Sequence, residues 1–82
     1  MKQARYTADV AKALRRHGNM AVRVRKALAD YAADPAAHAN YVRQLVGSPA
    51  RRLRVGDFRV IFEETDAEIV VTKIGPRGGV YG

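Results

Sequence analysis

Residues 51–60, RRLRVGDFRV, place Arg51, Arg52, Arg54 and Arg59 within ten positions. Gly56-Asp57 lies between Val55 and Phe58, a strong local hairpin signal, and it predicts two short strands closed by a two-residue turn. In that register Arg54 stands directly opposite Arg59, and Arg52 shares their face two residues earlier. Like charges opposed across a sheet repel. A bound polyphosphate offsets that repulsion, because each guanidinium can fork two hydrogen bonds onto phosphate oxygens and keeps its charge at any physiological pH. The plainer reading is that the three side chains splay into water on a solvent-facing surface, where salt screens them.

The rest of the composition agrees with an anionic partner. The chain has 82 residues, a formal net charge of +7 and no cysteine. Such a charge suits nucleic acid, an acidic protein or an anionic membrane surface. Residues 1–29 carry Lys2, Arg5, Lys12, Arg15, Arg16, Arg23, Arg25 and Lys26 against Asp9 alone. Half of the eight acids, Glu63, Glu64, Asp66 and Glu68, cluster at one predicted turn and read as a solvated tip. Disulfides and thiolate metal sites are excluded. No apolar run approaches the roughly 20 residues of a membrane span. MKQARYTADV has no signal-peptide core, so a cytoplasmic protein is expected.

The elements that must position the arginines follow from local pattern. Residues 2–6 read as a strand. Thr7 is suited to cap a helix reaching about His17, with Asp9 opposing its dipole and Val10 and Leu14 on one face. Gly18 is expected to stop it and Asn19 to cap the next helix, residues 20–34. There Val24, Ala27, Leu28, Tyr31 and Ala32 recur at i, i+3, i+4, i+7 and i+8. Asp34-Pro35 ends that helix. Residues 36–49 read as a helical turn or an irregular connector. Strands are expected at about 50–55, 58–64 and 68–74. Leu53, Val55, Phe58, Val60 and Phe62 form the face that meets the helices. IVVTKI at 69–74, apolar on both faces, reads as a central strand. The order is β-α-α-β-β-β in a single domain, 1–82: an α+β fold with a mainly antiparallel sheet and a helical hairpin on one face.

Taken together, RRLRVGDFRVIFEE, the strand IVVTKIG and the closing PRGGVY resemble the RelE branch of the RelE/ParE toxins of bacterial toxin–antitoxin pairs. The preceding Ala-rich helices and DPAAHANYVRQLVGSP fit the same pattern, so the resemblance covers nearly the whole chain. It implies an endoribonuclease that cuts messenger RNA, typically on the ribosome, and a cognate antitoxin that neutralises it. Operator DNA would be met only through that antitoxin. Carried over by motif, the catalytic set is Arg52, Arg59, Arg77 and Tyr81. Arg54, Arg51 and Lys73 join as RNA- or phosphate-binding residues, although the side chain of Arg51 should point to the other face. A basic position found in some ribosome-dependent members, two before Arg52, is Ala50 here. Gly78-Gly79 stands where polar residues are common.

The resemblance implies no cofactor and no metal. RNA supplies its own nucleophile, the 2′-OH, and needs a base, cations around the phosphoryl oxygens and an acid for the leaving oxygen. His17 and His38 lie outside the motif. The resemblance suggests Tyr81 as base, its phenolate favoured by neighbouring arginines, and Arg77 as acid or phosphate clamp. GPRGG lacks the Walker pattern and has no following helix. The competing readings are a gyrase-poisoning toxin of the ParE branch, a basic DNA-binding module and a toxin fold without catalysis.

Overall fold

The computed structural model describes residues 2–76, so the expectations placed on Arg77 and Tyr81 lie outside the described residues. Strand β1 (Gln3–Tyr6) leads into helices α1 (Ala8–Arg16) and α2 (Gly18–Ala33). A 3₁₀ helix (Ala36–Tyr41) follows, then β2 (Val42–Gln44), β3 (Arg51–Val55), β4 (Phe58–Glu64) and β5 (Glu68–Pro76). The five strands form one sheet in the order β1-β5-β4-β3-β2. β1 is parallel to β5 and the other pairings are antiparallel. This is the expected α+β fold with one strand more than the sequence reading counted.

The helix boundaries have local causes. The Thr7 hydroxyl accepts a hydrogen bond from the Val10 amide, and Asp9 sits in the first turn of α1. That places a negative charge at the positive end of the helix dipole. The break between the helices is a single residue. His17, at φ −120° and ψ 61°, ends α1 and precedes Gly18, the first residue of α2. The expected cap at Asn19 is therefore displaced into the helix. The His17 amide already donates to the carbonyls of Ala13 and Leu14, and its carbonyl accepts from Ala21, so the turn is closed two residues early. Asp34 ends α2 before Pro35, as the proline requires.

Both helices lie on one face of the sheet. Val10, Leu14, Val24, Leu28 and Tyr31 pack with Leu53, Val55, Val60, Phe62, Ile69 and Val71 in one buried cluster. At roughly 25 cal/mol per Å² of apolar surface removed from water, this cluster is the main source of stability in so short a chain. Phe58 shares the face at its margin, where its ring meets His17 edge-on at 5.2 Å. Lys2, Tyr31, Arg51 and Glu64 close one end of the same layer. The Tyr31 hydroxyl donates to Glu64 Oε1 at 2.7 Å, and Arg51 donates to both groups at 3.0 and 3.2 Å. Lys2 binds the other carboxylate oxygen.

One expectation changes here. The acids near the turn are a solvated tip only in part: Glu63 and Asp66 are exposed, whereas Glu64 is held by three partners and Glu68 pairs with Arg5. Residues 69–74 lie in β5, which is flanked by β4 on one side and β1 on the other, an interior strand as expected. β5 also carries a bulge. Ile61 pairs with Lys73 but Phe62 pairs with Val71, so Thr72 is the extra residue.

Candidate nucleic-acid interface

The hairpin forms in the expected register: Val55 opposes Phe58 and Arg54 opposes Arg59. Gly56 takes φ +57° and no non-glycine residue among those described has positive φ, so the turn has its positive-φ residue first, as a type II′ hairpin demands. The Arg23 guanidinium reaches from α2 to this turn, and a Cβ at Gly56 would come within 2.9 Å of it, a contact the flexible arginine end can yield. The positive φ is therefore what demands glycine here.

The register builds two cationic rows on the face away from the helices. Arg54 and Arg59 form the first, beside Gly75, which adds no side chain. Arg43, Arg52, Ile61 and Lys73 form the second. Directly opposed side chains of this kind have Cβ atoms about 4.5–5.5 Å apart. Arg43 was missed by the sequence reading, because residues 36–49 read as a connector and β2 was not expected. Its signal is alternation: Val42, Arg43 and Gln44 place Val42 on the core and Arg43 with the arginines.

Arg59 is the notable member. It is only 9% exposed, whereas Arg43, Arg54 and Lys73 are exposed. The expectation of a wholly solvent-facing row therefore fails at Arg59. The ion pairs among the described residues engage Lys2, Arg5, Lys26 and Arg51. Arg43, Arg54, Arg59 and Lys73 have no carboxylate partner among those residues. A guanidinium withdrawn from water without a counter-ion is costly, and a bound anion relieves the cost.

The structure brings Arg52, Arg54, Arg59 and Lys73 onto one face and separates Arg51 from them. Arg51 lies on the helix side, bound to Tyr31 and Glu64, as its parity in the strand requires. It cannot reach a phosphate on the arginine face without leaving that network. Ala50 is buried on the arginine face against Ile61, with Leu45 covering both. His38 bonds the Asp34 carbonyl through Nδ1 at 2.9 Å and His17 packs on Phe58, so both serve local structure.

The Glu64 network belongs to stability. Burial pushes the Glu64 carboxyl up, but hydrogen bonds from Lys2 and Tyr31 and the charges of Lys2 and Arg51 outweigh it and hold the group below its ordinary value. Burial and the bond to Glu64 push the Tyr31 phenol up, so it remains a proton donor.

No helix among the described residues is long and apolar enough to cross a membrane. With this geometry in hand, the comparisons with known proteins agree on class. A solved structure, that of YafQ from E. coli strain BL21(DE3), superposes over 100% of both chains with a TM-score of 0.63 and 20% identity, a likeness of fold. No curated protein sequence matches. The family described as the ParE toxin of the type II toxin–antitoxin system, parDE, matches residues 4–81. The likeness to RelE/ParE toxins read from the hairpin and the tail is thereby borne out, and the chain belongs to the ParE toxin family of type II toxin–antitoxin systems.

Proposed function

We propose that this toxin is an endoribonuclease that cuts messenger RNA on the ribosome, and that its basic sheet face holds the scissile phosphate. The observation that carries the reading is the pairing of nearly buried Arg59 with Arg54, cations that lack a carboxylate among the described residues. In the reaction a base takes the proton of the 2′-OH, and the 2′-oxygen attacks the adjacent phosphorus. The bond to the 5′-oxygen breaks and an acid protonates the leaving oxygen. The products are a 2′,3′-cyclic phosphate and a 5′-hydroxyl. Arg59 and Arg52 stabilise the charge that builds on the phosphoryl oxygens. By resemblance Tyr81 is the base and Arg77 the acid or a further clamp, while Arg54 and Lys73 bind flanking phosphates. Arg51 has no part in this scheme.

A toxin of this class has a cognate antitoxin. The charge of α1 and α2 suits an acidic or amphipathic antitoxin segment, with operator DNA met only through it and the cytoplasm as the site of action. The test is cleavage of a defined messenger RNA with ribosomes and, separately, as free RNA. Cleavage is expected in the first case, and Tyr81→Phe is expected to slow single-turnover cleavage by about 10²–10⁴-fold with ribosome affinity retained, the usual cost of losing a general base. The matching family's ParE description favours one other reading, gyrase poisoning. Intact transcripts in arrested cells, with gyrase trapped on cleaved DNA, would establish it instead.

A further inference from the structure

The edge of the sheet beside the arginines holds a feature that the cleavage scheme leaves unused. Tyr41 is the last residue of the 3₁₀ helix and is 51% exposed. Pairing between β2 and β3 begins at Val42 and Leu53, so Arg54 and Val55 extend past β2 with no strand on that side among the described residues. Two recesses meet there, and Tyr41 and Arg54 line both.

The smaller recess, of about 60 Å³, is lined by Asn40, Tyr41, Arg43, Arg52 and Arg54. Among the described residues it contains three guanidiniums, an amide and a phenol, and no carboxylate. It is the smaller and more polar of the two, so a phosphoryl group suits it better than a nucleobase. The larger recess, of about 200 Å³, is lined by the apolar side chains of Ala27, Leu53 and Val55, with His38 beside them. Its acid, Asp30, is engaged by Lys26 at 3.0 Å. A polar, cationic recess thus adjoins an apolar one, with an accessible aromatic ring at their junction. A nucleotide has the same two-part chemistry.

We propose that Tyr41 is the stacking platform of a nucleotide subsite. The recess beside Arg43 and Arg54 holds a phosphate of single-stranded RNA next to the scissile one, and the attached base lies against the Tyr41 ring and the apolar recess beside it. This rests on the RNA-cleaving reading for its ligand and adds to it a base contact at a position other than the scissile phosphate. An exposed aromatic beside a basic track is how sequence-tolerant single-strand sites gain affinity. Half-exposure of Tyr41 also means that its loss should not unfold the protein.

The probe is a fluorescent single-stranded RNA oligonucleotide with 2′-O-methyl riboses, which cannot be cut, titrated into the toxin and followed by anisotropy, both free and on programmed ribosomes. Tyr41→Ala is expected to weaken binding by about 5- to 150-fold, the range for losing one stacked base. Tyr41→Phe, which keeps the ring, should restore affinity, and Tyr41→Leu, which keeps only apolar bulk, should not. Arg43→Gln should flatten the salt dependence, as loss of one phosphate contact does, whereas Tyr41→Ala should leave it unchanged. Thermal melts check that each variant is folded. Wild-type affinity in all three Tyr41 variants overturns the proposal. So does absence of binding by the wild type in both settings, or an effect of Tyr41→Ala confined to antitoxin capture. The two readings fail separately: a toxin that cuts no RNA but loses oligonucleotide on Tyr41→Ala keeps the subsite. One that cuts RNA with the oligonucleotide affinity of Tyr41→Ala unchanged loses it.

Discussion

The two faces of strand β4 solve opposite problems with alternate residues. On the helix side Val60, Phe62 and Glu64 are buried or half-buried, and the one charge among them is fully engaged by Lys2, Tyr31 and Arg51. On the other side Arg59 is almost as buried, yet its cross-strand neighbour is another arginine. One face is arranged so that its polar groups answer each other within the chain. On the other, Arg43, Arg54, Arg59 and Lys73 have no carboxylate partner among the described residues. Burial alone therefore does not mark a residue as structural; the sign of its neighbours separates the two cases.

The largest expected effect tests the satisfied face. Phe62 is fully buried in the central strand, and its ring packs on Tyr31 with centroids 5.5 Å apart. Phe62→Ala should cost about 3–5 kcal/mol, since it removes both the transfer free energy and the packing around the ring. A domain of this size is marginal, so urea denaturation should show little or no folded baseline. A near-wild-type midpoint would mean that the helix face is not the stabilising layer.

A smaller effect comes from the polar end of that face. Glu64→Gln removes the charge that Lys2 and Arg51 share and one acceptor geometry, and should cost about 1–3 kcal/mol at neutral pH. The pH dependence sharpens the assignment. The folded Glu64 carboxyl lies below the ordinary value of 4.5. Its contribution is therefore fully present above the ordinary carboxylate range and is lost as pH falls through that value and below it. Melting temperatures followed from pH 6 downward (about neutral to acid, where carboxylates titrate) should fall for the wild type and fall less steeply for Glu64→Gln. Parallel curves would remove Glu64 as the source of the acid sensitivity.

Much of this contrast is legible in the sequence, and the illegible part has physical causes. The parity of β3 and β4 separates Leu53, Val55, Val60 and Phe62 from Arg52, Arg54 and Arg59, because one residue of slip would reverse every side chain. Thr7 and Asp34-Pro35 bound the helices through local chemistry. β2 escapes notice because three residues carry almost no periodic signal, and only pairing with β3 makes them a strand. Arg43 is lost with it. The place of Arg59 in the middle strand depends on strand order, with β4 between β5 and β3. Local pattern does not contain that order. Glu64 could have been found: it shares parity with Phe62, but its place in an acidic cluster beside a turn concealed it.

The smallest stability effect is expected where the sign reverses. Arg59→Met keeps an apolar stem of similar length at a nearly buried position, so little packing is lost. It removes a cation that has no carboxylate partner among the described residues and that opposes Arg54. If the arginine face is held for an anion, the variant should be as stable as wild type or more stable by about 0.2–1 kcal/mol. Its messenger RNA cleavage on ribosomes should nonetheless fall. Salt separates this from simple packing: the gain should shrink as ionic strength rises, since screening already weakens the repulsion in the wild type. Arg54→Met, at the exposed partner, should show the same sign with a smaller amplitude, because water screens it better. A combined variant should gain less than the sum, as two residues sharing one repulsion must. Loss of stability in Arg59→Met with cleavage intact would reverse the contrast between the two faces, making Arg59 a structural residue and placing the RNA elsewhere on the toxin.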